Sequence, residues 1–148
     1  MSNTNLLASQ RQEVAATIDP DAYTAATYVS DYVSMSDYGR IQAVVMAGTM
    51  GASATIDAKL VQATDSSGTG AKDITGKAIT QLVKATDDDK QAIINLQSEE
   101  LDVNNSFTHV ALSITVGTAT SDVGGIVLGT DARFTGTAQL ASVAEIVA

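Results

Sequence analysis

The sequence contains no cysteine, no tryptophan and a single histidine among its 148 residues. The lack of cysteine excludes disulfide bonds, a thiolate nucleophile and a zinc site with cysteine ligands. His109 stands alone, so no second imidazole can complete a metal site, and no Gly-x-Ser-x-Gly nucleophile elbow is present. The only adjacent glutamates, Glu99 and Glu100, would point to opposite faces of a strand and could not share a substrate. We therefore expect no catalytic residues, no metal and no cofactor.

Basic residues are also few, since eight Lys and Arg stand against 17 Asp and Glu and give a net charge of −9. The lysines are scattered singly, so no basic cluster is available to neutralise phosphates or anionic lipid. No apolar run approaches the roughly 20 residues of a membrane-spanning helix, and the first residues lack the pattern of a signal peptide. We expect no nucleic-acid partner, no membrane partner, and synthesis in a cytoplasm.

Hydrophobic residues nevertheless make up 45% of the chain, while aromatic residues make up only 4%. A core is therefore expected from Val, Ile, Leu and Ala, with Met filling gaps. Residues 1–22 differ from the rest because they are polar, loosely patterned and closed by the only proline, Pro20. We predict an N-terminal arm over residues 1–22, either flexible or with a short helix over Leu6 to Ala16, and one β-sandwich domain over residues 23–148.

Short apolar or alternating segments, separated by turn residues, follow one another from Tyr23 to the end of the chain. Seven of them are predicted as strands, over residues 26–35, 40–48, 53–62, 77–85, 91–98, 108–118 and 124–134, and residues 141–148 as a short strand or a tail. Three carry clear alternation, which predicts the inward-facing sets Ala54, Ile56, Ala58 and Leu60; Ala92, Ile94 and Leu96; and Val110, Leu112, Ile114 and Val116. Their spacing predicts an all-β fold, an antiparallel jelly-roll-like β-sandwich of about eight strands.

Three loops have the composition of ligand sites, and each is better explained as a turn. "TDDDK", residues 86–90, offers carboxylates to a hard cation, but adjacent acids are more often a solvated turn. "DVNNS", residues 102–106, begins like a calcium loop and lacks its glycine and closing glutamate. "GTGAK", residues 68–72, lacks the spacing of a phosphate loop and lies between strands. His109 is assigned to the polar face of its strand, in line with Ala111 and Ser113.

The stretch "SDYVSMSDYGR", residues 30–40, contains Ser-Asp-Tyr twice. Ser and Asp side chains bind nearby backbone N–H groups, so the favoured interpretation is a kink followed by a tight turn. The functional alternative uses Tyr32 and Tyr38 as surface anchors for a partner, together with Arg40, because Tyr and Arg concentrate binding energy at interfaces. Leu6 and Leu7 of the arm complete the set of candidate partner contacts.

Four segments, in this order, resemble a family of small structural proteins of tailed bacteriophages. They are "YVSMSDYGRIQAVV", "AKLVQATDSSGTGAKDITGKAITQL", "EELDVNNSFTHVALSITVGTATS" and "VLGTDARF", within residues 23–135. The resemblance implies a non-enzymatic virion protein of the head decoration, cement or vertex-turret type. It further implies the major capsid protein and further copies of this chain as partners, on the capsid outer surface, after synthesis in the host cytoplasm.

Two other functions remain open at the level of sequence. A head-fibre or tail-tip module that binds a receptor or carbohydrate would use the same sandwich, although sugar sites favour aromatic platforms and only four tyrosines and no tryptophan are present. A glycoside hydrolase is the remote third possibility, for the reason given for Glu99 and Glu100. The arm at residues 1–22 is expected to order on a neighbouring subunit.

Overall fold

The structure is a computed structural model that describes residues 6–133 and 139–147. The first half of the chain forms α1 (Ala8–Arg11), β1 (Gln12–Tyr23), β2 (Ala26–Val29), β3 (Val33–Ser34), β4 (Tyr38–Ala47) and β5 (Thr55–Ala63). The second half forms β6 (Lys72–Ala78), β7 (Leu82–Val83), α2 (Lys84–Asp87), β8 (Gln91–Gln97), β9 (His109–Gly117) and β10 (Ser121–Ala132). Two 3-10 turns, Ser98–Glu100 and Val103–Asn105, lie between β8 and β9.

The strands form two antiparallel sheets that pack face to face. One sheet has four strands in the order β1-β10-β4-β8, and the other has the order β2-β9-β5-β6, with β3 added beside β9 and β7 beside β5. When β2 with β3 and β6 with β7 are each counted as one broken strand, eight strands remain. The first of these pairs with the last, the second with the seventh, the third with the sixth and the fourth with the fifth. This is the jelly-roll arrangement, as the sequence predicts.

The core lies between the sheets and is built from alternating aliphatic residues. In the centre of the six-stranded sheet, Leu60 pairs with Leu112 and Ala58 pairs with Ile114, and all four side chains are buried. The inward-facing sets predicted on β5 and β9 are confirmed, and on β8 the buried residues are Ile94 and Leu96. Burial of each such Leu or Ile side chain contributes about 1.5–3 kcal/mol, so these strands supply much of the hydrophobic stabilisation.

Residues 12–22 belong to the sandwich, which corrects the predicted arm. They form most of β1, which pairs with β10 from Gln12 opposite Thr130 to Tyr23 opposite Ser121. The Val14 backbone also receives a hydrogen bond from Leu140 N. The alternative helix is limited to the four residues of α1. Two register irregularities in β1 interrupt its alternation, which is why the segment does not have the sequence pattern of a strand.

Two other boundaries differ from prediction. β6 begins at Lys72, the last residue of the "GTGAK" loop, and the predicted strand over residues 77–85 contributes only its first two residues to β6 and two more to β7. Gly76 has a φ of +77°, which bends the chain within β6 and obscures its strand pattern. Residues 141–147 form a turn and irregular chain, which is the tail and not the strand of the two predicted alternatives.

Candidate functional site

The outer surface of the four-stranded sheet is the candidate functional site. On β4, Ile41, Ala43 and Val45 are buried, so the intervening side chains point away from the core. The pairing register then gives the outward positions of the neighbouring strands. We call the whole set the four-stranded face: Gln12, Val14, Thr17, Arg40, Gln42, Val44, Met46, Gln91, Ile93, Asn95, Gln97, Gly124, Ile126, Leu128 and Thr130.

The four-stranded face carries a continuous apolar row. Thr17, Ile126, Val44 and Ile93 are cross-strand neighbours on β1, β10, β4 and β8. Ile93 is 58% exposed and Met46, in the next row, is 56% exposed, which makes them two of the most exposed large apolar side chains among the described residues. Apolar side chains that lie adjacent and exposed in this way mark a contact surface, whereas isolated ones do not.

The four-stranded face also differs from the rest of the molecule in charge. Arg40 is its only charged member, and this guanidinium lies 3.4 Å from the Asp131 carboxylate in an exposed ion pair. The outer side of the six-stranded sheet, by contrast, carries Asp57, Lys59 and Asp73, with the Lys59 ammonium 2.8 Å from Asp73. The part of this surface from Thr130 to Gly124 on β10 carries no carboxylate, whereas Asp122, the next outward position on β10, begins an acidic end.

One end of the four-stranded face forms a shallow groove with an acidic rim. Its floor is β10 at Gly124, where a Cβ would lie 3.0 Å from Pro20 Cα, and its apolar wall includes Met46. The exposed carboxylates of the rim come from four separate residues, Asp19, Asp21, Asp89 and Asp122. Within residues 6–133 and 139–147, none of the four forms an ion pair with a basic side chain. The groove therefore combines an apolar floor with uncompensated negative charge.

The structure places Tyr38 in the core and not on the surface, which corrects its assignment as an anchor for a partner. The residue is 4% exposed, and its ring packs against Gly129 of β10. Burial raises the pKa of Tyr38 to about 12, with a smaller contribution from the Glu13 carboxylate that accepts its hydroxyl hydrogen bond. Glu13 is itself buried, and its Oε2 has no hydrogen-bond partner among the described residues. The Gly129 position across the sheet is what gives the ring room to turn inward.

The other predicted partner contacts lie in separate places. Tyr32 is half-buried against Gly68, whereas Arg40 is exposed on the four-stranded face. Leu6 and Leu7 precede α1 and are 44% and 47% exposed. Of the five predicted residues, only Arg40 therefore belongs to the candidate site.

Both copies of the Ser-Asp-Tyr repeat form hydrogen bonds with the backbone at a strand break or a turn, as predicted. Ser30 lies at the break between β2 and β3, where its hydroxyl accepts a hydrogen bond from Leu112 N at 3.0 Å. At the second copy, Asp37 N donates to Ser34 O in the turn before β4. The two copies are therefore a strand break and a tight turn.

The loops with candidate ligand residues are held by internal contacts. Asp102 accepts hydrogen bonds from the Lys72 ammonium and the Asn105 amide, which together lower the pKa of its carboxyl group. The same ammonium lies 4.2 Å from the centre of the Phe107 ring. In "TDDDK", Asp88 accepts from Met50 N and from Lys84. The described residues contain no group of three His, Asp or Glu that could hold a metal ion.

His109 differs from its predicted setting. Its Nδ1 lies 2.8 Å from Thr108 Oγ1, and the residue is half-buried. Ala111 and Ser113, which follow on the same side of β9, are 0% and 5% exposed, so this side of the strand is covered and is not a solvated polar face. None of the helices in the described part of the chain is long and apolar enough to cross a membrane.

The exposed apolar residues of the four-stranded face were missed by the sequence analysis. Ile93 and Ile94 are adjacent and chemically equivalent, so the sequence does not reveal which of them faces solvent. The available signal was the lack of any charge in "QAIINLQ", which is unusual for a strand at the edge of a sheet.

Comparisons with known proteins show similarity of fold at low sequence identity. No protein-family model and no curated protein matches the chain. The Broad bean stain virus structure has a TM-score of 0.46 at 13% identity, over 88% of this chain and 89% of that one. The Cowpea mosaic virus empty virus-like particle has a TM-score of 0.44 at 10% identity, over 85% and 83%. The Clostridium thermocellum xylanase 10B CBM22-1–GH10 structure, complexed with xylohexaose, has a TM-score of 0.43 at 12% identity over 78% of this chain, which spans 26% of that chain.

Proposed function

We propose that this chain is a non-enzymatic structural protein of a tailed-phage virion. In this role it is a decoration or cement subunit that binds the major capsid protein on the outer surface of the head and associates with copies of itself. The observation that carries the proposal is the exposed apolar row of the four-stranded face, which runs into a groove with an acidic rim. The sequence resemblance over residues 23–135 supports the assignment to a virion.

The composition of the four-stranded face is that of the centre of a protein–protein interface. Such centres are depleted in charge, more apolar than the rest of the surface and enriched in Met, as here with Val44, Met46 and Ile93. The polar members, among them Gln42 and Asn95, offer hydrogen bonds without a charge that would have to be desolvated. The face therefore suits docking on a shell built from another protein.

The groove indicates the chemistry of the segment that it would receive. The uncompensated carboxylates of Asp19, Asp21, Asp89 and Asp122 favour a basic residue on the partner, and the floor at Gly124 favours an apolar one. We assign to this groove an exposed segment of the major capsid protein that carries a basic residue and an apolar residue. The same negative charge disfavours contact with packaged DNA, in agreement with a place outside the shell.

Binding to purified capsids that lack this protein tests the proposal. Val44→Lys puts a charge at the centre of the four-stranded face, and we expect it to lower capsid occupancy at least tenfold, because the ammonium would have to be desolvated in the interface. Thr115→Lys is the matched control, since Thr115 is a β-branched residue on a central strand of the other sheet, β9. Capsid binding by the Val44 variant at the level of the wild type would contradict the proposal.

A head-fibre or tail-tip module for carbohydrate remains the alternative. No specific observation favours it, because the residues that line the groove include no aromatic side chain on which a sugar ring could stack. Glycan binding by the purified chain, abolished by substitutions in the groove, would favour this alternative over the capsid role.

A further inference from the structure

Strand β8 is an edge strand with an open side. In the four-stranded sheet it follows β4 at the end of the order β1-β10-β4-β8, and no strand among the described residues pairs with its other side. Its pairing with β4 runs without irregularity from Gln91 opposite Met46 to Gln97 opposite Arg40. A regular edge strand presents a row of backbone donors and acceptors to which a further strand can bind.

The hydrogen-bond pattern identifies the residues that face this open side. Ala47 N donates to Lys90 O at 2.9 Å, so this pair lies in a hydrogen-bonded position of the ladder. Positions alternate along an antiparallel pair, and therefore Ala92 and Ile94 bond to β4, whereas Gln91, Ile93 and Asn95 direct their N–H and C=O groups outward. Gln97 has the same parity, and its N–H is already bound by Glu100 Oε2 at 2.8 Å.

The other edges of the sandwich carry features that discourage pairing. β1 has two register irregularities, contains Pro20 between two aspartates, and receives the Leu140 N–H on its outer side. β6 has charged residues at Lys72 and Asp73 and an irregular register with β5, and β2 has only four residues. These are the usual protections against edge-to-edge association.

β8 has none of these protections. Its sequence, "QAIINLQ", contains no charge, no proline and no glycine over seven residues. The Ile93 side chain is 58% exposed. Among the sheet edges of the described residues, β8 is therefore the one suited to bind another strand.

We propose that β8 pairs antiparallel with β8 of a second copy of this chain, about a twofold axis at Ile93. The pairing deepens the self-association included in the proposed function and rests on it. Ile93 lies opposite Ile93 of the partner subunit, and Gln91 lies opposite Asn95 of the partner subunit. All three residues have outward-facing backbone groups, so every hydrogen bond of the new ladder is satisfied at this register.

Three observations make a second copy the occupant of this edge. The open positions are self-complementary under a twofold axis, which a dimer of identical chains requires. No charged side chain meets its equivalent across the axis, so two chains of net charge −9 can approach here. The apolar row from Thr17 to Ile93 continues directly into the same row of the partner. The dimer then presents one eight-stranded surface, with both four-stranded faces on the same side.

Two measurements on the full chain test the pairing. Light scattering over a range of concentrations gives the mass, and residue-resolved amide hydrogen exchange gives the protection of β8. We expect a dimer, with the Ile93 and Asn95 amides becoming protected as concentration rises. The Ala92 and Ile94 amides, bound to β4, serve as internal references that are protected at every concentration.

Variants separate edge pairing from a loss of apolar surface. Ile93→Lys places like charges on the axis, and we expect it to weaken dimerisation by about tenfold or more. Thr115→Lys, on β9 of the other sheet, is the control for the added charge and leaves the dimer unchanged. Ile93→Pro is the second variant, because it removes an N–H that faces the open edge and leaves the bonds to β4 in place.

Several outcomes would overturn the pairing. They are a single-chain mass at all concentrations, a ring of three or five chains, or a dimer whose Ile93 and Asn95 amides exchange without protection. A wild-type chain that binds capsids and forms no dimer would refute the β8 contact alone. A protected dimer that does not bind capsids would support the contact and refute the proposed function.

Discussion

The Tyr38 ring occupies the space in which a side chain at Gly129 would stand, so that a Cβ at position 129 would overlap ring carbons Cε1 and Cδ1. The ring thereby covers the β10 backbone at Gly129, which has no side chain, and the glycine leaves the space in which the ring is buried. Gly129 cannot gain a side chain unless the Tyr38 ring moves.

We expect Gly129→Ala to lower the free energy of unfolding by about 1–3 kcal/mol, because the ring and the strand must move apart to admit a methyl group. Gly39→Ala is the matched control, since the nearest atom to its Cβ would be the Asp131 Cβ at 3.3 Å, without overlap, and the position is half-exposed. Urea unfolding of both variants measures the difference, and equal stabilities would contradict this interpretation.

The raised pKa of Tyr38 predicts a loss of stability at high pH. The unfolded chain ionises this phenol near pH 10.0, whereas the folded chain ionises it near pH 12. The contribution of Tyr38 to the free energy of unfolding is complete below pH 10.0. It is lost as pH rises toward and through 12, because the unfolded state releases the proton first. We expect Tyr38→Phe to remove this part of the alkaline decline, measured as unfolding free energy against pH. The same slope in wild type and variant would show that Tyr38 is not responsible.

The contacts of Asp102 predict the opposite behaviour at low pH. Hydrogen bonds from Lys72 and then Asn105 lower the pKa of this carboxyl from its ordinary value of 3.8. The contribution of Asp102 to the free energy of unfolding is therefore present above pH 3.8 and is lost as pH falls through the lowered pKa of the folded state. In Asp102→Asn this part of the acid-side decline should be absent. Asp31→Asn, at an exposed position that forms no ion pair within the described ranges, is the control for removal of one acid.

The acidic rim of the groove predicts that binding to capsids depends on salt. Asp122→Asn should slow association and flatten its salt dependence, because rim charges act mainly on the rate of encounter. Asp57→Asn removes the same charge from the six-stranded sheet and should leave the association rate unchanged. Surface plasmon resonance on immobilised capsids at several ionic strengths measures both rates. A larger change in association rate for Asp57→Asn than for Asp122→Asn would indicate that the capsid contacts the six-stranded sheet, and would contradict the prediction.

Much of the fold could be predicted because the strands near the middle of each sheet have simple patterns. β5 and β9 alternate small or aliphatic residues with polar ones, and β4 is the near-continuous apolar run of a central strand. β1 escaped prediction because its irregularities change which side chains point inward partway along the strand. The local sequence shows only how apolar and polar residues alternate. A bulge shifts this alternation, and a bulge arises from the pairing with a second strand, which the local sequence does not contain.

The candidate site was less predictable because exposure depends on pairing. Tyr38 is buried because Gly129, distant in the chain, leaves space across the sheet. Ile93 is exposed because the register with β4 turns Ile94 inward. Both outcomes follow from contacts between strands that are far apart in sequence, and composition alone does not contain them.

The jelly-roll order also determines when the chain can fold. β9 and β10 are the last two strands, yet each lies between two earlier strands, and within the described residues β1 pairs with β10 alone. A nascent chain therefore emerges from the ribosome with β4 and β5 made before their partners β10 and β9. Because such distant pairings must wait for loop closure, we expect slow, post-translational folding. During that interval the uncharged segment of β8 would be the part most in need of a chaperone.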